Sequence, residues 1–416
     1  MGGNGWIGKQ IIDILRTYDE YVIDFDNNIR VNNEKEMETL IVGTQPDRII
    51  CLIGRTHGSN IHSIDYLEQK GKLTENVRDN LYAPFVLAEL CKKYNIHLTY
   101  LGTGCIFSGY NKKYTENDDP DFFGSSYSVI KGFTDRIMKF YDNVLNVRIR
   151  MPITDELFCN RNFIYKITHY KKICDMPNSM SVLPELLPIM IDMSIHKRTG
   201  TINLTNPNKI SHNEILEMYK QIVDPNFRWT NFTVEEQNKI LASERSNNEL
   251  SSDKLLHWYP NIKSIHDSVK DILYSMKRQK EIIDSRYRDF KSIIETLYDK
   301  YVILRTQNIL CVENDFFIGN NIYDYSLKDI QTHTINTLFI KLKVLNIGII
   351  YLRNIFGNEL FSIIKDSEML INISRPIITF VDTLDNILVL NFLQSSYYDI
   401  YYINDNNYNK QFITSK

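Results

Sequence analysis

Residues 101–131 read LGTGCIFSGYNKKYTENDDPDFFGSSYSVIK, and this stretch decides how the chain is read. A short β-run at 97–100 leads into it, with Thr103 and Cys105 at the carboxyl end. A segment rich in Asp and Gly follows, then a helix start that carries Tyr127 and Lys131. Four residues separate the Tyr from the Lys, so both lie on one helix face, one turn apart. A hydroxyl, a phenol and an ammonium gathered in this way suit proton transfer to a carbonyl that is receiving hydride. The Tyr-x-x-x-Lys spacing alone is common, and Tyr66 with Lys70 makes another copy. Context separates the two, because Tyr127 opens a helix and follows the strand-end Thr103 by 24 positions.

Upstream, residues 2–8 read GGNGWIG, with Gly2, Gly5 and Gly8 at the mouth of a helix expected to run to about residue 18. Glycines there let the backbone approach a pyrophosphate, and the helix N-terminus stabilises its charge. Such a pattern normally follows a strand. Met1 stands where that strand should end, so the first, central strand of the sheet is expected to be missing. Beyond it, β and α alternate. Strands are expected at 21–25, 48–53, 97–100 and 144–150, and helices at 34–42, 73–93 and 126–140. This alternation predicts an α/β fold with a Rossmann-like, doubly wound parallel sheet, whose ligands sit outside the carboxyl ends of the strands. Residues 2–8, 54–58, 103–105 and 151–152 fall at such ends.

After Pro152 the alternation loosens. A helix is expected at 160–170 and a strand at 200–204. Ser211 and Glu214 form a capping-box pattern before another helix. Residues 268–300 suggest a long charged helix. From Tyr301 onward, strand-like runs (YVILRT, NILCV, NTLFIKLKVL, PIITFV, NILVLNFL) are separated by Asn- and Asp-rich turns. The expected organisation is therefore a nucleotide-binding domain at 1–152, a small substrate lobe at 153–280, and an α+β appendage at 281–416 that holds no chemical constellation.

The 416 residues are 43% hydrophobic and 24% charged, with a formal net charge of −3. No bulk positive field points to nucleic acid or membrane, and no apolar run approaches the roughly 18 residues of a spanning helix. The N-terminal stretch lacks the regions of a signal peptide. Cys51, Cys91, Cys105, Cys159, Cys174 and Cys311 show no CxxC spacing, which fits a reducing, cytoplasmic compartment. The nine histidines form no metal-binding pattern, so no metal is expected.

Several longer motifs carry a resemblance. They are GGNGWIG, YLGTGCIF, YTENDDPDFFGSSYSVIKG, VRIRMPI, RNFIYKI, MPNSMSVLPELLP, NLTNPNKISHNEILEMYK and RSNNELSSDKL, in order to about residue 275. With these the chain resembles the extended short-chain dehydrogenase/reductase superfamily. More narrowly it resembles the plant-type and viral bifunctional UDP-4-keto-6-deoxyglucose 3,5-epimerase/4-reductases of UDP-rhamnose synthesis.

The resemblance implies that Thr103, Tyr127 and Lys131 are the reductase triad, and that Cys105 and Lys166 are the acid/base pair of epimerisation. An adjacent Lys131 ammonium is expected to lower the Tyr127 phenol. Cofactor contacts are expected from Gly2, Gly5, Trp6, Ile7, Gly8, Gly54, Arg55, Thr56, Tyr127, Lys131 and Met151. Arg30 suits an adenosine 2′-phosphate and NADPH, whereas Asp24 or Asp26 suits a ribose hydroxyl and NADH. Asn162, Asn178 and Arg245 match positions that hold the nucleotide-sugar, and Asn80 matches a structural asparagine. A 4,6-dehydratase is expected to act upstream, and a homodimer is compatible with the reading. Two alternatives accompany it: reduction alone or on a dTDP or GDP carrier, and a non-catalytic, reductase-like regulatory subunit.

Overall fold

A computed structural model describes residues 1–18, 30–58 and 61–281. In the C-terminal part it describes the strands at 308–313, 347–353, 377–378, 400–402 and 411–413. The chain divides into two compact units, Met1–Glu281 and Ile282–Lys416. The strand expected at 21–25, Asp24 and Asp26, the end of the 268–300 helix, and the runs at 301–306, 336–345 and 386–393 lie outside the described residues.

The first unit is built on a four-stranded sheet. In chain order the elements that matter are α1 (Trp6–Leu15), α2 (Glu34–Thr44), β1 (Arg48–Cys51), α3 (Leu73–Val77), α4 (Ala83–Lys93), β2 (His97–Thr103), β3 (Gly109–Tyr114), α5 (Ser126–Met138) and β4 (Val144–Ile149). There follow β5 (Pro152–Ile153), α6 (Phe163–His169), β6 (Ser181–Val182), α7 (Leu183–Ile195), β7 (Gly200–Asn203), α8 (His212–Ile222) and β8 (Asn248–Leu250). The sheet runs β1-β2-β4-β7, and each pairing is parallel. The Met1 main chain bonds Ile50 and Leu52 alongside β1.

Side-chain alternation explains why helices cover both faces. Ile49, Cys51, Leu98, Tyr100 and Val144 pack with α2 and α4 on one side. Their neighbours Ile50, Leu101, Leu145, Val147 and Ile149 pack with α1 and α7 on the other. The central strand β4 is buried at every position, as expected where helices cover both faces of a parallel sheet. The doubly wound parallel sheet is thus the observed architecture.

Two details differ from the sequence reading. The helix expected over 73–93 is interrupted by a π turn at Arg78–Tyr82, which carries Asn80. The segment between β2 and α5 contains a strand, β3, which pairs with β8 from 139 residues later (248 − 109). A separate apolar cluster, including Ile153, Ile164, Ile167, Met180, Val182, Ile215 and Leu216, forms the core of the smaller lobe.

In the second unit, Asn308–Glu313 and Ile347–Arg353 pair in parallel. Ile400–Tyr402 pairs in parallel with Ile377–Ile378 and antiparallel with Gln411–Ile413. Among the described residues no helix is long and apolar enough to cross a membrane.

Candidate active site

The site begins where α5 starts. Ser125 caps this helix, its Oγ accepting from the Ser128 N–H at 3.0 Å. Ser126 donates to Glu68 at 2.8 Å and accepts from Asn76 at 3.1 Å, which ties the helix start to the elements before it. Tyr127 therefore sits in a fixed first turn, and Lys131 one turn later; both are buried. Thr103 ends β2 next to them, and its Oγ1 accepts from the Cys105 N–H at 3.1 Å. Burial is the main influence on the Tyr127 phenol and pushes it up; the Cys105 thiol adds to this, while the Thr103 hydroxyl and Arg161 oppose it. Thr103, Cys105 and Tyr127 are thus near neighbours, and the phenol holds its proton at neutral pH.

Lys131 behaves differently from expectation. Its Nζ donates to the Tyr100 hydroxyl and lies over that ring. Burial lowers the ammonium to about 8. The expected lowering of Tyr127 is not found: burial raises the phenol, and the groups that oppose the rise are the Thr103 hydroxyl and Arg161.

A second group of residues shapes the other strand ends. Asn80 accepts from the Arg55 N–H at 2.9 Å and donates to the Arg55 carbonyl at 2.8 Å, which clamps the loop that follows β1. The Asn80 carbonyl in turn accepts from Thr134 on α5 at 2.6 Å. Gly54 packs against the Asn80 amide oxygen, where a Cβ would come within 3.2 Å. At the end of β4, Met151 adopts φ 39°, a left-handed conformation that is uncommon outside glycine and clusters at functional sites. The Arg55 guanidinium is taken by Asp79 at 2.6 Å, with Glu75 at 3.7 Å, so it is not a free cation for a phosphate. Arg30 is exposed.

The glycine loop fits a dinucleotide. Helix α1 starts at Gly5 with no side-chain cap and no acidic residue in its first turn, which leaves its N-terminal N–H groups and positive dipole end for an anion. Gly8 touches the loop that precedes it. A Cβ there would lie 2.4 Å from the Gly2 oxygen and 2.6 Å from the Gly3 oxygen. Those contacts are backbone and cannot swing aside. Gly8→Ala is therefore expected to open the loop and weaken NADPH binding by roughly tenfold or more, with a loss of about 1–3 kcal/mol in stability. A fluorescence titration checks the first and chemical denaturation the second; unchanged affinity would refute the assignment.

The third group belongs to the smaller lobe. Lys166 lies on α6, half-buried. Burial and then the neighbouring Arg161 cation lower its amine to about 8; Cys159 opposes this, and the Arg245 cation adds a smaller lowering. Arg161 acts electrostatically on both Lys166 and Tyr127, so each lies within electrostatic reach of its guanidinium.

Asn162 and Asn178 are corrected. Asn162 caps α6, and its amide donates to the carbonyls of Thr154 and Glu156, both at 2.9 Å, while its oxygen accepts from Thr154 and Ile164. Asn178 donates to Asn247 at 3.0 Å and accepts from the Asn248 N–H at 3.1 Å. Both are buried and occupied by the protein, so they position the lobe rather than bind the sugar. Arg245 is paired with Asp65 and Ser243. Sequence reasoning missed His57 and Arg161. Arg161 stood inside the quoted motif RNFIYKI, one residue before the asparagine that drew attention.

Comparison with known proteins gives the family of the chain. The RmlD substrate binding domain family matches residues 1–126. The uncharacterized protein L780 of Acanthamoeba polyphaga mimivirus is 52% identical over 285 residues, 67% of this chain and 98% of L780. A bifunctional dTDP-4-dehydrorhamnose 3,5-epimerase/dTDP-4-dehydrorhamnose reductase of Arabidopsis thaliana is 36% identical over 288 residues, 68% of this chain and 93% of that protein. The chain belongs to the rhamnose-forming nucleotide-sugar 3,5-epimerase/4-reductase family. The crystal structure of the L780 UDP-rhamnose synthase matches this family member with a TM-score of 0.64 at 52% identity, over 66% of this chain and 98% of that one. A trifunctional UDP-glucose 4,6-dehydratase/3,5-epimerase/reductase of Arabidopsis thaliana is 37% identical over 286 residues, 67% of this chain and 42% of that protein, and so joins a dehydratase to this family's domain. The chain is accordingly an enzyme of nucleotide-sugar metabolism, and the non-catalytic alternative is set aside.

Proposed function

We propose that the enzyme epimerises UDP-4-keto-6-deoxyglucose at C-3 and C-5 and then reduces C-4, giving UDP-L-rhamnose. The observation that carries this reading is a neutral phenol, a strand-end hydroxyl and a thiol held together at the end of β2, with a lysine, lowered to about 8, within electrostatic reach of the arginine that also acts on the phenol. A C-4 ketone acidifies the protons at C-3 and C-5. Lys166 removes one from one ring face, and the Cys105 thiol returns one to the other. Thr103 and Tyr127 stabilise the enolate oxygen by hydrogen bonding. Tyr127 then protonates the C-4 oxygen. Bound NAD(P)H supplies the hydride for C-4. The backbones of Gly2, Gly5, Trp6, Ile7 and Gly8 would hold its pyrophosphate, and Gly54, Thr56, Met151 and Lys131 would line the rest of the cofactor. Residues 1–152 then form the cofactor domain and 153–280 the substrate lobe, with NADPH favoured by Arg30. The substrate class requires a 4,6-dehydratase upstream. A dTDP carrier is the second reading, favoured by the Arabidopsis relative, and competition between the two keto-sugars separates them.

The test is deuterium uptake from solvent at C-3 and C-5 by the full chain. Below about 8 the Lys166 amine is protonated and cannot accept a proton. Uptake under kcat/KM conditions is expected to rise with pH and level off above about 8. Lys131 titrates in the same range, so Lys166→Met must remove the uptake itself, by roughly 10²-fold or more. Wild-type protein that leaves the keto-sugar unlabelled and unreduced with NADPH would sink the proposal.

A further inference from the structure

The arginines that act on Lys166 and His57 sort into two kinds. Arg55 is neutralised by Asp79 and Glu75, and Arg245 by Asp65. Arg161 is not neutralised. Among the described residues no carboxylate lies within 4.0 Å of its guanidinium or of the Lys166 amine. Its hydrogen bonds go to neutral acceptors: the Thr56 hydroxyl at 3.1 Å and Nδ1 of His57. An accepting Nδ1 means that the imidazole carries its proton on Nε2. Arg161 and Lys166 are thus both half-buried and within electrostatic reach of one another, and among the described residues neither is paired with a carboxylate. Charges withdrawn from water are ordinarily paired. A guanidinium fork matches phosphate oxygens two at a time.

We infer that Arg161, with His57 beside it, is the diphosphate ligand of this site. Three elements hold it in place. Asn162, the next residue, anchors the main chain through four hydrogen bonds. The loop at 54–58, which carries Thr56 and His57, is clamped by Asn80. Lys166 follows Arg161 by five residues on the helix that Asn162 starts. A diphosphate held by Arg161 would leave its sugar within reach of Lys166 and Tyr127, the two groups on which Arg161 acts. Identifying the diphosphate as that of a nucleotide-sugar rests on the function proposed above. A dinucleotide carries the same group.

Calorimetric titration of the full chain with UDP, and separately with NADPH, distinguishes the two sources. Arg161→Gln is expected to weaken UDP by roughly 10- to 100-fold, the range of a hydrogen bond to a charged group, and to leave NADPH unchanged. Arg161→Lys should recover part of the loss, because it restores the charge but not the fork. Weakened NADPH with unchanged UDP would keep the diphosphate role and assign it to the dinucleotide. The rise in melting temperature caused by UDP should shrink in step, a difference that a purely structural role leaves intact. Should Arg161→Gln fail to fold, His57→Gln carries the test with a several-fold loss. Unchanged affinity for both ligands overturns the inference. Failure of the proposed function is read separately: wild type that binds UDP but takes up no deuterium refutes that function and leaves Arg161 in its role.

Discussion

Tyr127→Phe is expected to slow reduction of the keto-sugar by roughly 10²- to 10⁴-fold while the chain keeps its fold, the usual range for a positioned general acid. Phenylalanine fills the same buried space and loses only the hydroxyl. That hydroxyl is a proton donor at neutral pH, because burial holds the phenol well above its ordinary range. Deuterium uptake at C-3 and C-5 should fall less, since Cys105 and Lys166 remain and only part of the enolate stabilisation is gone. The two rates, measured on one preparation as NADPH oxidation and as isotope content, separate the roles. A loss of less than about tenfold in reduction would remove Tyr127 from the reaction.

Asp135→Ala is expected to destabilise the first unit by about 3–5 kcal/mol, because it strands a buried charge. Arg148 on β4 is fully buried, and its guanidinium meets Asp135 of α5 through two hydrogen bonds, at 2.8 and 2.6 Å. Asn146 donates to the same carboxylate at 2.7 Å. The remaining guanidinium protons reach the Thr115 and Asp118 carbonyls and Asn203, and the Phe107 ring lies 4.9 Å away. This network fastens the helix that carries Tyr127 and Lys131 to the centre of the sheet. Few domains have more than about 5–15 kcal/mol to lose. Asp135→Ala combined with Arg148→Met should be less harmful than Asp135→Ala alone, since no charge is then left unpaired. Chemical denaturation of the single and double variants completes the cycle. A single-variant loss below about 1 kcal/mol would show that water reaches the pair.

The legible part of this protein was the part written in local spacing. The four-residue step from Tyr127 to Lys131, the glycines at 2, 5 and 8, and the βα alternation depend on helix and strand periods, which a sequence displays directly. They set the fold class, the helix face and the strand ends. Asn80 was legible too, although the π turn that aims it at Arg55 was not, because such a turn has no pattern of its own. The unread part was side-chain partnership over long separations. Lys131 meets Tyr100 rather than working on Tyr127. Asn162 is occupied by backbone groups, Asn178 by backbone groups and the Asn247 side chain, and Arg161 meets His57 from 104 residues away. Two arginines in an apparent strand, VLNVRIR, turn out to be buried ion and carbonyl anchors. Whether a polar side chain is free for a ligand depends on which distant donors and acceptors satisfy it, and only tertiary packing makes that choice. The amino-acid order alone therefore determined the sheet, its helices and the chemical set at the end of β2. The folded chain decided which of those groups are neutral, which are occupied, and which cation is left for an anion.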